Sequence, residues 1–339
     1  MQLLSPTKFL SIRSVLLAVT GAALLASCAD FGGTGTPQRS VSQGIGKQIS
    51  ANVDSCPPNT PGFRPAPLGI VTATDGTTWT VPGEILPQKI APLGTDIYNL
   101  CSKVTPKTHA QLPSVDKLPV VEVDRDGEII TGYVAADNYF ELYVNGKLVA
   151  YDPVHYSPSN ALIVRFKVKR PYTLVFRVVD WEEDLGVGTE LGNANNKQAW
   201  RDFYMGDGGL VARFSDGTVT DTSWKAQTFY ISPLRSPDDV VEKGNVHDSS
   251  HLGRVHPKAG RLGCDAKCYA VHYKIPANYA SPTFNDSNWP NAFEYTELDV
   301  GVENMFGYSL FRDLYKGAKW IWTSNLVFDN VIIARKTVR

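Results

Sequence analysis

Four of the six histidines fall in one stretch of the chain: His247 and His251 in H-D-S-S-H, then His256, then His272. Imidazole nitrogens suit copper, zinc or nickel, and on a helix His247 and His251 would share a face. A zinc-protease pattern needs a glutamate beside the first histidine. Asp248 stands there, so that hydrolytic motif is absent. The plainer alternative is a polar surface loop. A second group is D-W-E-E-D: Asp180, Trp181, Glu182, Glu183 and Asp184, at the end of a predicted strand. Carboxylate oxygens suit Ca²⁺ or grip sugar hydroxyls, and a carboxyl pair at a set separation hydrolyses glycosides. The plainer alternative here is a solvated strand exit. Among the tryptophans, Trp181 and Trp200 lie near predicted loops and are candidate platforms for stacking on a pyranose. Trp224 and Trp289 read as core, because indoles gain most from burial. Trp320 and Trp322 are expected to divide, one inward and one outward. There is no G-x-S-x-G elbow, phosphate-cradling glycine loop or dinucleotide fingerprint.

The N-terminus gives an address. Lys8 and Arg13 precede an apolar run over residues 15–26, too short to span a bilayer comfortably. The run ends in Leu25-Ala26-Ser27-Cys28, which resembles the bacterial lipobox. That resemblance implies a signal peptide over residues 1–27 and acylation of Cys28, anchoring the chain to membrane through its acyl chains. Ala29 stands where an aspartate would signal inner-membrane retention, which implies the outer membrane. Removing Lys8 and Arg13 takes the formal charge from -1 to -3, and no Lys/Arg stripe appears elsewhere. Nucleic acid is therefore excluded as a partner for want of an electrostatic footprint. Cys56, Cys101, Cys264 and Cys268 remain, an even number that reads as two disulfides in an exported chain. Three pairings are possible; proximity favours Cys56–Cys101 and Cys264–Cys268.

The elements that must position these residues are strands. Residues 136–147, A-D-N-Y-F-E-L-Y-V-N-G-K, alternate Phe140, Leu142 and Val144 with Glu141, Tyr143 and Asn145, the period of a strand with one buried face. Asn145-Gly146 then tolerates the positive φ of a type I′ turn, so the chain doubles back through residues 148–151. Further strands are predicted at 120–123 and 128–134, forming a hairpin around Asp126-Gly127, and at 161–169, 172–179, 210–214, 227–231, 269–275, 319–322 and 330–335. No stretch keeps a helical period over three turns. The 28 glycines, 22 prolines and 11% aromatics fit many turns between flat sheets. Residues 28–61, poor in large apolar side chains, are expected to be a disordered tether. Residues 62–118 are expected to be an irregular Pro-rich extension tied by Cys56–Cys101.

Several of these segments share one pattern. Residues 136–147, G-G-L-V-A-R-F-S-D-G-T-V-T-D-T-S-W-K at 208–225, F-N-D-S-N-W-P-N-A at 284–292 and W-I-W-T-S-N at 320–325 resemble, in order, segments of galactose-binding-like jelly rolls. These are β-sandwich modules found on glycoside hydrolases and in many surface lectins. The resemblance implies an all-β antiparallel jelly roll over residues 119–339, usually non-catalytic, that binds sugars or serves as packing. Asn285 departs from the family's usual aspartate, and a His-rich insertion at 233–263 lies outside its pattern. The expectation is thus a lipid-anchored envelope protein presenting a glycan- or partner-binding sandwich. The alternatives are a Cu/Zn-binding lipoprotein using His247, His251, His256 and His272, and a carbohydrate-active enzyme centred on residues 180–184.

Overall fold

The computed structural model describes residues 39–44, 46–50, 56–57, 59–60, 67–87, 94–152, 161–181, 189–190, 203–204, 208–253, 267–302 and 306–339. These belong to one compact unit, Thr36–Arg339. In chain order the strands are β1 (Arg39–Gln43), β2 (Lys47–Gln48), β3 (Gly69–Thr72), β4 (Thr78–Val81), β5 (Thr95–Tyr98), β6 (Val121–Glu122) and β7 (Glu128–Asp137). Then come β8 (Tyr139–Val144), β9 (Lys147–Tyr151), β10 (Ala161–Val168), β11 (Tyr172–Val179), β12 (Thr189–Glu190), β13 (Phe203–Tyr204) and β14 (Gly209–Phe214). The last are β15 (Lys225–Leu234), β16 (Val241–Lys243), β17 (Val246–Asp248), β18 (Tyr269–Tyr273), β19 (Phe293–Tyr295), β20 (Trp320–Trp322) and β21 (Asp329–Val338).

Most of them form two sheets, ordered β1-β18-β15-β21-β11-β8-β9 and β19-β20-β14-β7-β10-β5. The long pairings are antiparallel, and the inner faces share one hydrophobic core. Successive strands β7, β8, β10, β11, β14 and β15 alternate between the sheets, so most links cross the core rather than closing hairpins. Phe166 of β10 meets Tyr172 of β11 at 6.0 Å across that core, and Phe176 meets Trp224 at 5.8 Å. This all-β, two-sheet arrangement with only short helical turns is the one expected from the alternation. The 145–146 turn is also as expected: Asn145 and Gly146 have φ of 50° and 83°. No helix among the described residues is long and apolar enough to cross a membrane.

Four expectations change. The tether expected at 28–61 holds β1, which pairs with β18 from Arg39↔Tyr273 to Gln43↔Tyr269. Its R-S-V-S-Q sequence looks like linker, yet Ser40 and Ser42 are buried because each hydroxyl has a partner, Asp75 at 2.6 Å and His272 at 2.8 Å. The extension expected to be irregular supplies β3, β4 and β5, with β3 pairing to β2 of the expected tether, and the expected Cys56–Cys101 disulfide ties it to that segment. The hairpin expected at 120–134 does not form. β6 runs parallel to β10, and Gly127 lies so close to Val168 that a Cβ would come within 2.3 Å of its backbone. Finally, Trp320 and Trp322 are both buried, since positions two apart on a strand share a face. They pack so tightly that a Cβ on Gly208 would meet Trp322 at 2.4 Å.

The outer face of the first sheet is covered rather than solvated. All eight residues of β11 are buried. Tyr139, Glu141 and Arg177, which alternation aims away from the core, lie beneath residues 82–87: Gly83 abuts Val179 and Val331, and the Leu86 amide donates to the Tyr139 hydroxyl at 3.1 Å. A second cover, residues 279–289, is pinned by Arg335, which is 1% exposed. Its guanidinium donates to Asp286 at 2.9 Å, to the Ser281 carbonyl at 3.1 Å and to the Tyr279 carbonyl, and sits 5.0 Å over the Phe284 ring. Phe284 and Trp289 in turn stack edge-on at 5.2 Å. Arg335→Ala leaves Asp286 and two carbonyls unpaired in a packed layer, and is expected to destabilise the fold by roughly 3 kcal/mol. Urea unfolding checks this as a lowered midpoint with an unchanged m-value.

Candidate functional site

A groove of about 520 Å³ opens between this outer face and the N-terminal strands, lined among others by Trp79, Arg177, Tyr230, His272 and Lys274. That volume lies within the roughly 300–1,000 Å³ of small-molecule sites. Strand β4 follows the Asp75-Gly76 turn and presents Thr78, Trp79 and Thr80, with Trp79 half-buried. Its indole stacks on the His272 imidazole at 5.1 Å and 15°, and His272 stacks on Tyr230 at 4.8 Å and 25°. Three rings from β4, β18 and β15 thus form one stack in the groove wall. Burial lowers the His272 pKa to about 3, against a weaker upward pull from Asp75. The ring is neutral, and Ser42 Oγ meets its Nε2 at 2.8 Å. Serine and imidazole at that distance have nucleophile-and-base spacing, but Ser42 is fully buried and the ring is held between two aromatics. The contact ties β1 to β18.

Another part of the wall is a buried ion pair. Arg177 Nη1 donates to Glu141 at 2.8 Å, and the Tyr139 and Tyr143 hydroxyls donate to the same carboxylate at 2.9 and 2.7 Å. Burial lowers the Arg177 pKa, but Glu141 together with Tyr139, Tyr279 and Tyr143 outweighs it, and the guanidinium is held above its ordinary value. Glu141 is its one hydrogen-bond acceptor among the described residues. The remaining N–H groups of this side chain, 8% exposed, belong to a residue that lines the groove. Thr77, Thr78, Glu84 and Lys274 form the exposed rim. An aromatic stack, a guanidinium and hydroxyls converge, which is the donor and platform set for a polar, ring-shaped ligand. Sequence reasoning missed Trp79 and Arg177; the signal was T-W-T-V after a D-G turn, read as part of an irregular extension.

The residues singled out from sequence lie elsewhere or are not brought together. Asp180 and Trp181 are 2% and 1% exposed at the end of β11, so Trp181 is packed and offers no open face to a sugar. Glu182, Glu183, Asp184 and Trp200 lie outside the described residues, as do Cys28, His256 and Cys264. Cys268 is disulfide-bonded. His247 is buried: its Nδ1 donates to the Thr228 carbonyl at 2.7 Å and its ring lies 3.4 Å over Tyr273. His272 is the next residue along β18, on the opposite face of the strand, and His251 is exposed. The pleat therefore separates His247 from His272, and no group of three or more His, Cys, Asp or Glu among the described residues is placed to hold a metal ion. The carboxyl that does sit in a dense polar nest is one the sequence did not flag. Asp329 accepts from Ser249 at 2.9 Å and Thr323 at 2.5 Å, and burial pushes its pKa up to about 7.

Compared with family models, curated proteins and solved structures, the chain matches none.

The buried titratable groups set a pH dependence. Burial lowers the His247 pKa to about 4, as it lowers His272 to about 3. As pH falls below 6.5 the unfolded chain takes up these protons first, so their stabilisation, whole above 6.5, is lost towards pH 4. Asp329 opposes this: its contribution is whole below the ordinary 3.8 and is lost as pH rises towards 7. Two groups outweigh one, so thermal unfolding is expected to show stability falling between pH 6.5 and 4. Replacing both histidines by glutamine is expected to reverse that slope.

Proposed function

We propose that the chain is a lipid-anchored cell-envelope binding protein, non-catalytic, whose β-sandwich presents a groove to a glycan or partner molecule. The groove beside Trp79 carries this reading, since it joins a half-buried indole to hydroxyls and a guanidinium at the mouth of a pocket of about 520 Å³. The galactose-binding-like jelly roll remains the fold type we favour. It is supported by strands that alternate between sheets and by the packing of the 284–292 segment, whose Phe284 and Trp289 stack beneath the Arg335 clamp. Acylation at Cys28 and delivery to the outer membrane rest on the L-A-S-C sequence followed by Ala29.

The anchor is tested in cells. Wild-type protein is expected to incorporate labelled palmitate and fractionate with outer membrane, and Cys28→Ser to lose the label and leave the membrane fraction. Wild-type protein found unlabelled in the cytosol overturns the reading.

A further inference from the structure

We propose that the groove binds a neutral saccharide, with Trp79 as the stacking face and Arg177 as the hydroxyl-gripping donor. This deepens the reading of the chain as a binding protein and rests on it.

Four observations carry it. The Trp79 ring is half-buried and held by His272, itself backed by Tyr230, so the indole is fixed before any ligand arrives. A pre-ordered aromatic face loses little entropy on binding, and the C–H face of a pyranose is the apolar, slightly positive partner that a π-cloud attracts. Second, Arg177 has one hydrogen-bond acceptor among the described residues, the Glu141 carboxylate, and lines the groove with N–H donors to spare. A guanidinium offers its donors in a planar fork, matched to two neighbouring acceptors such as vicinal hydroxyls. A purely apolar ligand would strip water from those donors without replacing it.

Third, the formal charges of the walls balance. Glu141 neutralises Arg177, the exposed rim carries one residue of each sign in Glu84 and Lys274, and His272 is neutral. Asp75, beside the stack and accepting from Ser40 at 2.6 Å, adds a negative charge. An incoming carboxylate or phosphate would meet one exposed cation, Lys274, against Glu84 on the same rim, Asp75 beside the stack and Glu141 behind Arg177. A neutral polyol keeps the Arg177–Glu141 pair intact while using the remaining donors. Fourth, Thr77, Thr78 and Thr80 place hydroxyls along one edge, groups that serve as both donor and acceptor, as sugar hydroxyls do.

The test uses the full chain in detergent, on an array holding matched neutral and uronic-acid oligosaccharides, followed by calorimetric titration of the best neutral one. Binding of neutral glycans, about tenfold weaker for the uronic-acid counterparts, is the expected result. Trp79→Ala is expected to lower affinity about tenfold and Trp79→Phe to hold it within about threefold, because the ring and not its N–H does the stacking. Arg177→Lys, which keeps the charge on Glu141 but loses the fork, is expected to weaken binding about tenfold with an unchanged circular dichroism spectrum. Should Arg177→Lys not fold, NMR titration of the wild type decides: amide shifts confined to residues 77–84, 177 and 272–275 support the site. Preference for acidic glycans, unaltered binding by Trp79→Ala, or shifts elsewhere overturns it. An acylated, membrane-bound wild type that retains no glycan overturns the saccharide site and leaves the wider binding reading standing, whereas an unacylated cytosolic protein overturns that reading itself.

Discussion

The Glu141–Arg177 pair explains why this sandwich has a covered outer face and a groove there. Antiparallel sheets usually leave one face to water, and the alternation of β8 and β11 would allow that. Instead, a carboxylate and a guanidinium sit opposite one another on adjacent strands with side chains 5% and 8% exposed. Two charges taken out of water are stable together only when geometry and extra hydrogen bonds offset their desolvation. The two tyrosine hydroxyls on Glu141 supply those bonds, and Tyr139 is itself fixed by the Leu86 amide of the covering segment. Cover and pair are therefore mutually dependent.

The N-terminal strands follow from this. β1 adds to the sheet edge, the β3–β4 pair lies above it, and the Cys56–Cys101 bond ties the segment before β3 to the turn after β5. Short strands of this kind bury too little apolar surface to hold themselves. What keeps them is specific: Ser42 on His272, Ser40 on Asp75, the Trp79–His272–Tyr230 stack and the glycine at 83 that lets the backbone approach Val179. The contacts that attach the extension are also the groove walls. Attachment and the proposed recognition share residues.

This is also where the sequence stopped being readable. Long apolar alternation in β8, β10 and β11 announced the sandwich, because a period of two with branched and aromatic residues has few other solutions. The N-G turn announced its hairpin by the φ it requires. Ser40 and Ser42 announced nothing, since a small hydroxyl is buried or exposed according to a partner more than 30 residues away. Trp181 was misplaced for a related reason: proximity to a loop in sequence does not make an indole a platform when the strand end itself is covered. Clustering of histidines along the chain likewise said little about clustering in space, because neighbouring strand positions face opposite sides and burial leaves each ring with its own partners. Trp79 is the converse, a residue whose importance depends on which strand it lands against.

Rigidity of the groove wall bears on what chemistry it can do. The imidazole nearest the groove is neutral and wedged between rings, and the hydroxyl beside it is fully buried. General acid–base work needs a group near its operating pKa, within reach of a substrate proton. His272, at about 3, is far below neutral pH. The ionised pair buried in this wall, Glu141 and Arg177, is locked together, and Glu84 and Lys274 stand out on the exposed rim. A buried wall whose titratable members are paired or held neutral is preorganised for contact. Such preorganisation favours binding, because the side chains that touch the ligand have already lost their freedom on folding.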